Sequence, residues 1–273
     1  MGKLALFDAS LAWDVSVASY ANKSFDVSNE GGNDNEGVFI GNSGTKLYIS
    51  STLNTAVYQY TLSTPWDIST ASYDSVSYDA TGLGAIITDI TFSSSGTKLF
   101  ILGILPGKVF QHTLSTAWDL SSISYDSVEF SVNSESTTPL GLFFRDDGKR
   151  FYTINAVNDR VFQYSLSAAF NLTTASYDSV SFLVSGQEGT PESIFFRPNG
   201  KRMFVIGVNN DSVYQYDLST PWDVSTAVYN SVSFSVAGQE TGPNKVFIRD
   251  NGLNMYILGT TTGEAVYQYS LVG

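Results

Sequence analysis

The chain has 273 residues, with no cysteine, one histidine and 42% hydrophobic residues, and its 14 basic and 26 acidic side chains give a net charge of −12. That length can bury a substantial core unaided, and the absence of cysteine excludes a disulfide framework, a zinc site built on thiolates and a cysteine nucleophile. The negative field repels phosphate backbones and anionic lipid, so nucleic acid and membrane insertion are excluded as first readings.

In chain order, Met1 to Asp8 carries one basic residue, Lys3, followed by only four apolar ones before an acid, too little for a secretory segment. The longest apolar run, residues 99–105, is interrupted by Gly103 and falls short of the roughly 20 residues that span a bilayer. A soluble protein is expected. Cysteine usage does not choose between cytoplasm, exterior and virus particle. Next, Trp13-Asp14-Val15-Ser16 and Ser19-Tyr20 match Trp66-Asp67-Ile68-Ser69 and Ser72-Tyr73, the first sign of a repeat.

The repeat fills the chain. Val57-Tyr58-Gln59-Tyr60 recurs around Gln111, Gln163, Gln215 and Gln268, spaced 52, 52, 52 and 53, and Gly44, Gly96, Gly148, Gly200 and Gly252 keep a spacing of 52. Within a unit, Leu142-Phe143-Phe144-Arg145, the turn Asp146-Asp147-Gly148 and Arg150 to Ile154 predict a hairpin. Residues 160–166 and 176–184 predict a third and a fourth strand, and no unit carries the spacing of a helix. Four short antiparallel strands repeated five times predict an all-β, five-bladed β-propeller, with the first strand of each unit lining the axis. The fifth unit stops after its third strand, so the N-terminal segment should complete that blade and close the ring. One domain, 1–273, is expected, with blades near 36–80, 88–132, 140–184, 192–236, and 244–271 plus 12–28, and residues 1–11 as a surplus tail.

The string Val-Tyr-Gln-Tyr-x-Leu-Ser-Thr-Pro-Trp-Asp-x-Ser-Thr-Ala-x-Tyr, at 57–73 and 213–229, resembles propeller repeats of bacteriophage and marine microbial proteins. The resemblance covers essentially the whole chain. It implies the fold and, beyond it, a particle-associated or surface-associated binding module.

Recurrent residues are expected to serve the blade and singular ones to serve a site. The five glutamines should satisfy backbone groups of a neighbouring blade, the alternative being a ring of polar contacts for a ligand. Trp13, Trp66, Trp118 and Trp222, replaced by Phe170 in one unit, are expected to cap the gap between blades rather than stack on sugars. His112 falls in a column of tyrosines (Tyr60, Tyr164, Tyr216, Tyr269) and is expected to be a tolerated substitution. Arg145, Arg197 and Arg249 end the first strand of three units, where they would pair with Asp146 and Asp250 or bind an anion.

The singular set lies at the other end of that strand. Glu36, Asp89, Glu192 and Lys245 come from four units and should converge on one mouth of the channel, as ligand sites do. Gln187, Glu188, Gln239 and Glu240, in the linkers between units, together with Asn209, Asn210 and Asp211, could hydrogen-bond sugar hydroxyls. No cofactor is called for; calcium suits the oxygen supply, although no calcium-loop pattern is present. The function expected is a lectin-like, non-catalytic recognition module for glycans or another host-surface component, virion-associated or extracellular. The alternatives are a glycoside hydrolase using Glu36, Asp89 and Glu192, because five-bladed glycosidases resemble this chain in architecture, and a structural or protein-binding ring.

Overall fold

The computed structural model describes residues 12–261 and 263–272; the tail expected at 1–11 lies outside them. Strand β1 (Ser19–Asp26) comes first, followed by one helical turn, α1 (Ser28–Gly31). The first complete blade is an antiparallel sheet of β2 (Asn35–Gly41), β3 (Lys46–Ser51), β4 (Ala56–Leu62) and β5 (Ala71–Asp79). The second contains β6 (Ile86–Phe92), β7 (Lys98–Ile104), β8 (Lys108–Leu114) and β9 (Ile123–Ser131). The third contains β10 (Pro139–Phe144), β11 (Arg150–Asn155), β12 (Arg160–Leu166) and β13 (Ala175–Leu183). The fourth contains β14 (Pro191–Phe196), β15 (Arg202–Gly207), β16 (Ser212–Leu218) and β17 (Ala227–Ser235). The last blade has β18 (Pro243–Ile248), β19 (Asn254–Gly259) and β20 (Ala265–Ser270), and its outer strand is β1, with Ser19 opposite Ser270 and Asp26 opposite Ala265. The inner strands β2, β6, β10, β14 and β18 touch in succession, and β18 returns to β2. The protein is thus a closed five-bladed β-propeller whose N-terminal strand completes the last blade.

Burial follows from position in the ring. Third strands such as β4 are buried on both faces between blades, which is why they carry Val, Tyr and Gln in an unbroken run. Outer strands such as β5 alternate exposed and half-buried residues, matching their Ser and Asp content.

A short 3-10 turn between the third and fourth strands of every blade has no periodic signal and is not legible as a helix. It is held by Asp14, Asp67, Asp119, Asn171 and Asp223, whose side chains accept the N–H two residues on. The preceding Trp or Phe folds back over the glycine of its own blade's first turn: Trp66 on Gly44, Trp118 on Gly96, Phe170 on Gly148, Trp222 on Gly200 and Trp13 on Gly252.

The glutamines tie consecutive blades together. The Oε1 of Gln59 accepts the N–H of Leu120 at 2.8 Å, Gln111 that of Leu172 at 2.9 Å and Gln163 that of Val224 at 3.2 Å. Gln215 accepts from Val15 at 3.3 Å and Gln268 from Ile68 at 3.0 Å, completing the circuit across the closure. In three blades the amide Nε2 also donates to an aspartate of the fourth strand, Asp74, Asp126 or Asp178, at 2.8 Å. These side chains are buried and committed to the ring, as the neighbouring-blade reading requires.

Candidate functional site

Each inner strand begins with a β-bulge. Register with the second strand slips by one residue between Asn35 and Gly37, Ile87 and Asp89, Pro139 and Gly141, Pro191 and Ser193, and Pro243 and Lys245. The residues left unpaired are Glu36, Thr88, Leu140, Glu192 and Asn244, one per blade, and a bulge re-aims the side chain it carries. The bulges thus bring the singular residues around one end of the axis.

There two of the charged residues pair with each other. Lys245 of the last blade is in ion-pair contact with Asp89 of the second, past the glycine at position 37 of the blade between them, and both side chains are buried. Asp89 also accepts the N–H of Ile90 at 2.7 Å and, through its other oxygen, that of Leu142 at 2.6 Å. Burial pulls the Lys245 ammonium below the usual lysine range, and the charge of Glu36 opposes the shift. Glu36, half-buried, accepts Asn244 Nδ2 at 3.0 Å. Burial, then the charge of Glu192, pushes Glu36 up to about 8; burial, then Glu188, pushes Glu192 up to about 7.

The linker residues anchor loops. Glu188 is buried, its Oε1 accepting the N–H groups of Thr190 at 2.9 Å and Asn209 at 3.1 Å. Glu240 is its counterpart one blade on, taking the N–H of Gly242 at 2.8 Å and of Thr261 at 3.2 Å. Gln187 and Gln239 accept the hydroxyls of Tyr216 and Tyr269 at 3.3 and 3.2 Å. Asn210 donates to the Gln187 carbonyl at 3.0 Å, and burial raises the Asp211 carboxyl. Glu188 and Glu240 thus hold backbone N–H groups of their loops, while Asn209 and Asn210 are exposed. Among the described residues no group of three or more His, Asp or Glu side chains is arranged to hold a metal ion.

The open space lies toward the opposite mouth. A cavity of about 340 Å³ runs along the axis from Lys245 to the first turns of the blades. Its walls are the aliphatic column Val38, Ile90, Leu142, Ile194 and Val246 and a second column, Phe39, Thr91, Phe143, Phe195 and Phe247. Phe143, Phe195, Phe247 and Phe39 meet edge to face in succession, with centroids 5.3, 5.4 and 5.5 Å apart, and Thr91 leaves the gap where a fifth ring would stand. Asn42, Ser94, Asp146, Pro198 and Asp250 rim the opening. Asp146 and Asp250 are exposed on the rim; the partial desolvation they do feel raises both carboxyls, the charge of Asp250 raises Asp146 further, and Arg145 and Arg249 oppose these shifts. This cup was missed because its aromatic column recurs from blade to blade; the one signal was the lone threonine at 91.

The arginines at this mouth do not pair with Asp146 and Asp250 as expected. Arg145 pairs with Asp147 at 3.0 Å, one residue further round the turn. Each guanidinium lies over the indole of the next blade: Arg145 on Trp222 at 5.3 Å, Arg197 on Trp13 at 5.9 Å and Arg249 on Trp66 at 4.8 Å. The tryptophans are therefore sandwiched between a turn glycine and the adjacent blade, with no free face for a sugar. On the opposite face Leu53, Leu105 and Val157, at equivalent loop tips of three successive blades, are exposed.

No family model matches the chain, and no curated protein matches its sequence. Solved structures do match in fold. A candidate 6-phosphogluconolactonase from Bacteroides uniformis is similar over 86% of this chain and 66% of its own, with a TM-score of 0.52 and 13% identity. A luciferin-regenerating enzyme is similar over 90% of this chain and 94% of its own, with a TM-score of 0.54 and 11% identity. A functionally unknown protein from Desulfotomaculum acetoxidans is similar over 86% of both chains, with a TM-score of 0.52 and 13% identity. At these identities the likeness establishes the propeller architecture and nothing of the chemistry.

Proposed function

We propose that this protein is a non-catalytic recognition module that takes the end of a cell-surface glycan into the axial cup, in the phage-tail or adhesin setting to which its repeats are similar. The observation that supports this reading is the cup itself, an open concavity with aromatic walls and a polar rim on a rigid ring. Phenylalanine rings suit the C–H face of a pyranose, and Asn42, Ser94, Asp146 and Asp250 offer partners for hydroxyls. The hydrolase alternative is the weaker one. Both oxygens of Asp89 are taken by backbone N–H groups and one of them also by Lys245, which removes Asp89 from the acid and base roles that alternative gave it.

Thr91→Phe supplies the residue found at the other four positions and fills the gap in the wall. It should reduce glycan binding at least tenfold by calorimetry while leaving the melting transition intact. A blank glycan array, with flat calorimetry against simple sugars, would overturn the reading. A second reading, a protein-binding ring, draws on Leu53, Leu105 and Val157. It predicts that their joint replacement by serine abolishes partner capture and spares binding at the cup.

A further inference from the structure

We propose that the group seated in the axial cup is an organic cation, an alkylammonium carried by the ligand, lying against the phenylalanine walls with its charge toward Asp146 and Asp250. This rests on the reading of the cup as the ligand site and names the chemistry that enters it.

The walls come first. Between the two columns the cup offers, apart from Thr91, only aliphatic and phenylalanine side chains until Lys245 at its floor. A neutral sugar ring pushed to that depth would leave hydroxyls without partners, at a cost of roughly 1–3 kcal/mol for each group stranded. A methylated or alkylated ammonium is weakly hydrated, brings apolar surface, and is attracted to the negative faces of aromatic rings.

The charges point the same way. Asp146 and Asp250 neither lie within ion-pair distance of a cation nor accept a side-chain hydrogen bond among the described residues, and each feels its carboxylate disfavoured. The nearest cations are already engaged, although Arg145 lines the cup and its charge on Asp146, like that of Arg249 on Asp250, offsets part of the upward shift. Arg145 is bonded to Asp147 and stacked on Trp222, Arg249 lies over Trp66, and Lys245 is in contact with Asp89. A cation entering the cup adds to the partial countercharge that Arg145 and Arg249 supply, and the net charge of −12 draws it in. The ammonium that fits is an alkylated one, such as a trimethylammonium substituent on a glycan, which enters the cup without the hydroxyls of a sugar ring.

Calorimetry or ligand-observed NMR on the intact chain tests this with choline against its neutral counterpart 3,3-dimethylbutan-1-ol. Choline should bind tenfold or more tightly than its counterpart. Asp146→Asn with Asp250→Asn should cut that preference at least fivefold, and Thr91→Phe should abolish cation binding. Equal binding of cation and counterpart overturns the inference while leaving the cup as the ligand site. Absence of cation binding alongside glycan binding that Thr91→Phe abolishes does the same. Glycan binding that Thr91→Phe leaves unchanged overturns the cup reading as well.

Discussion

At the level of single residues, the only histidine is half of an exchange between blades. In four places a phenylalanine of one blade's outer strand meets, edge to face, a tyrosine of the next blade's third strand: Phe25 with Tyr60, Phe130 with Tyr164, Phe182 with Tyr216 and Phe234 with Tyr269. The tyrosine hydroxyl then donates to a linker residue, Glu30, Glu135, Gln187 or Gln239. At the fifth place the linker has Leu83, which accepts nothing, and Tyr78 with His112 replaces the pair, joined at 3.0 Å between the hydroxyl and Nε2. His112 is therefore a matched substitution, as its place in an aromatic column suggests, and not a base. His112→Tyr alone should cost roughly 1–3 kcal/mol, because both hydroxyls would be left without a partner. Adding Tyr78→Phe and Leu83→Gln rebuilds the arrangement of the other blades and should recover most of that loss in a denaturant titration. A triple variant no more stable than the single one would show that the three positions are independent.

At the level of elements, the hairpin turn and the tryptophan lid form one unit. Gly200 has a φ of 70°, and a Cβ built on it would lie 2.4 Å from the Trp222 ring. Gly200→Ala is therefore expected to be destabilising through both backbone strain and displacement of the indole. Gly186, with open space around it and no positive φ, provides the control: Gly186→Ala should be neutral or slightly stabilising. Thermal melts of the two variants measure the difference directly. The turn glycines and the tryptophans were legible as recurrent residues, and their packing role followed. The bulges were not, because a slip of one residue between paired strands leaves no mark in hydrophobic alternation. The sequence pattern placed Glu36, Asp89, Glu192 and Lys245 at equivalent ends of four units, but it could not show that Asp89 and Lys245 pair with each other across the ring. The assumption that recurrent residues only build the blade also hid the phenylalanine column, whose repetition is what makes a cup around the axis.

At the level of the whole molecule, the five-fold spacing made closure readable, since a fifth unit lacking its outer strand and an N-terminus carrying one can only meet in a ring. The electrostatic balance of that ring was not readable, because it depends on which charges the ring buries. Glu36 and Glu192, raised to about 8 and about 7, hold protons in the folded protein that the unfolded chain loses near pH 4.5, so stability falls as pH rises across that window. His112, lowered to about 4 by burial, acts in the opposite sense: the unfolded chain takes up a proton below about 6.5 that the folded chain refuses, so stability falls as pH drops toward 4. The two slopes oppose each other in mildly acidic solution; above about pH 7 the glutamate slope meets an opposite one from Lys245, which burial lowers to about 7 and which therefore gives up its proton in the folded ring before it does in the unfolded chain. Glu36→Gln removes most of the glutamate slope by replacing a carboxyl with a neutral group of the same shape. The variant should melt several degrees above the parent at pH 8.5, on a scale of roughly 2–4 °C per kcal/mol for a chain of this size, and converge with it near pH 4.5. A constant offset at both pH values would mean that the effect comes from packing and that Glu36 is not protonated in the folded ring.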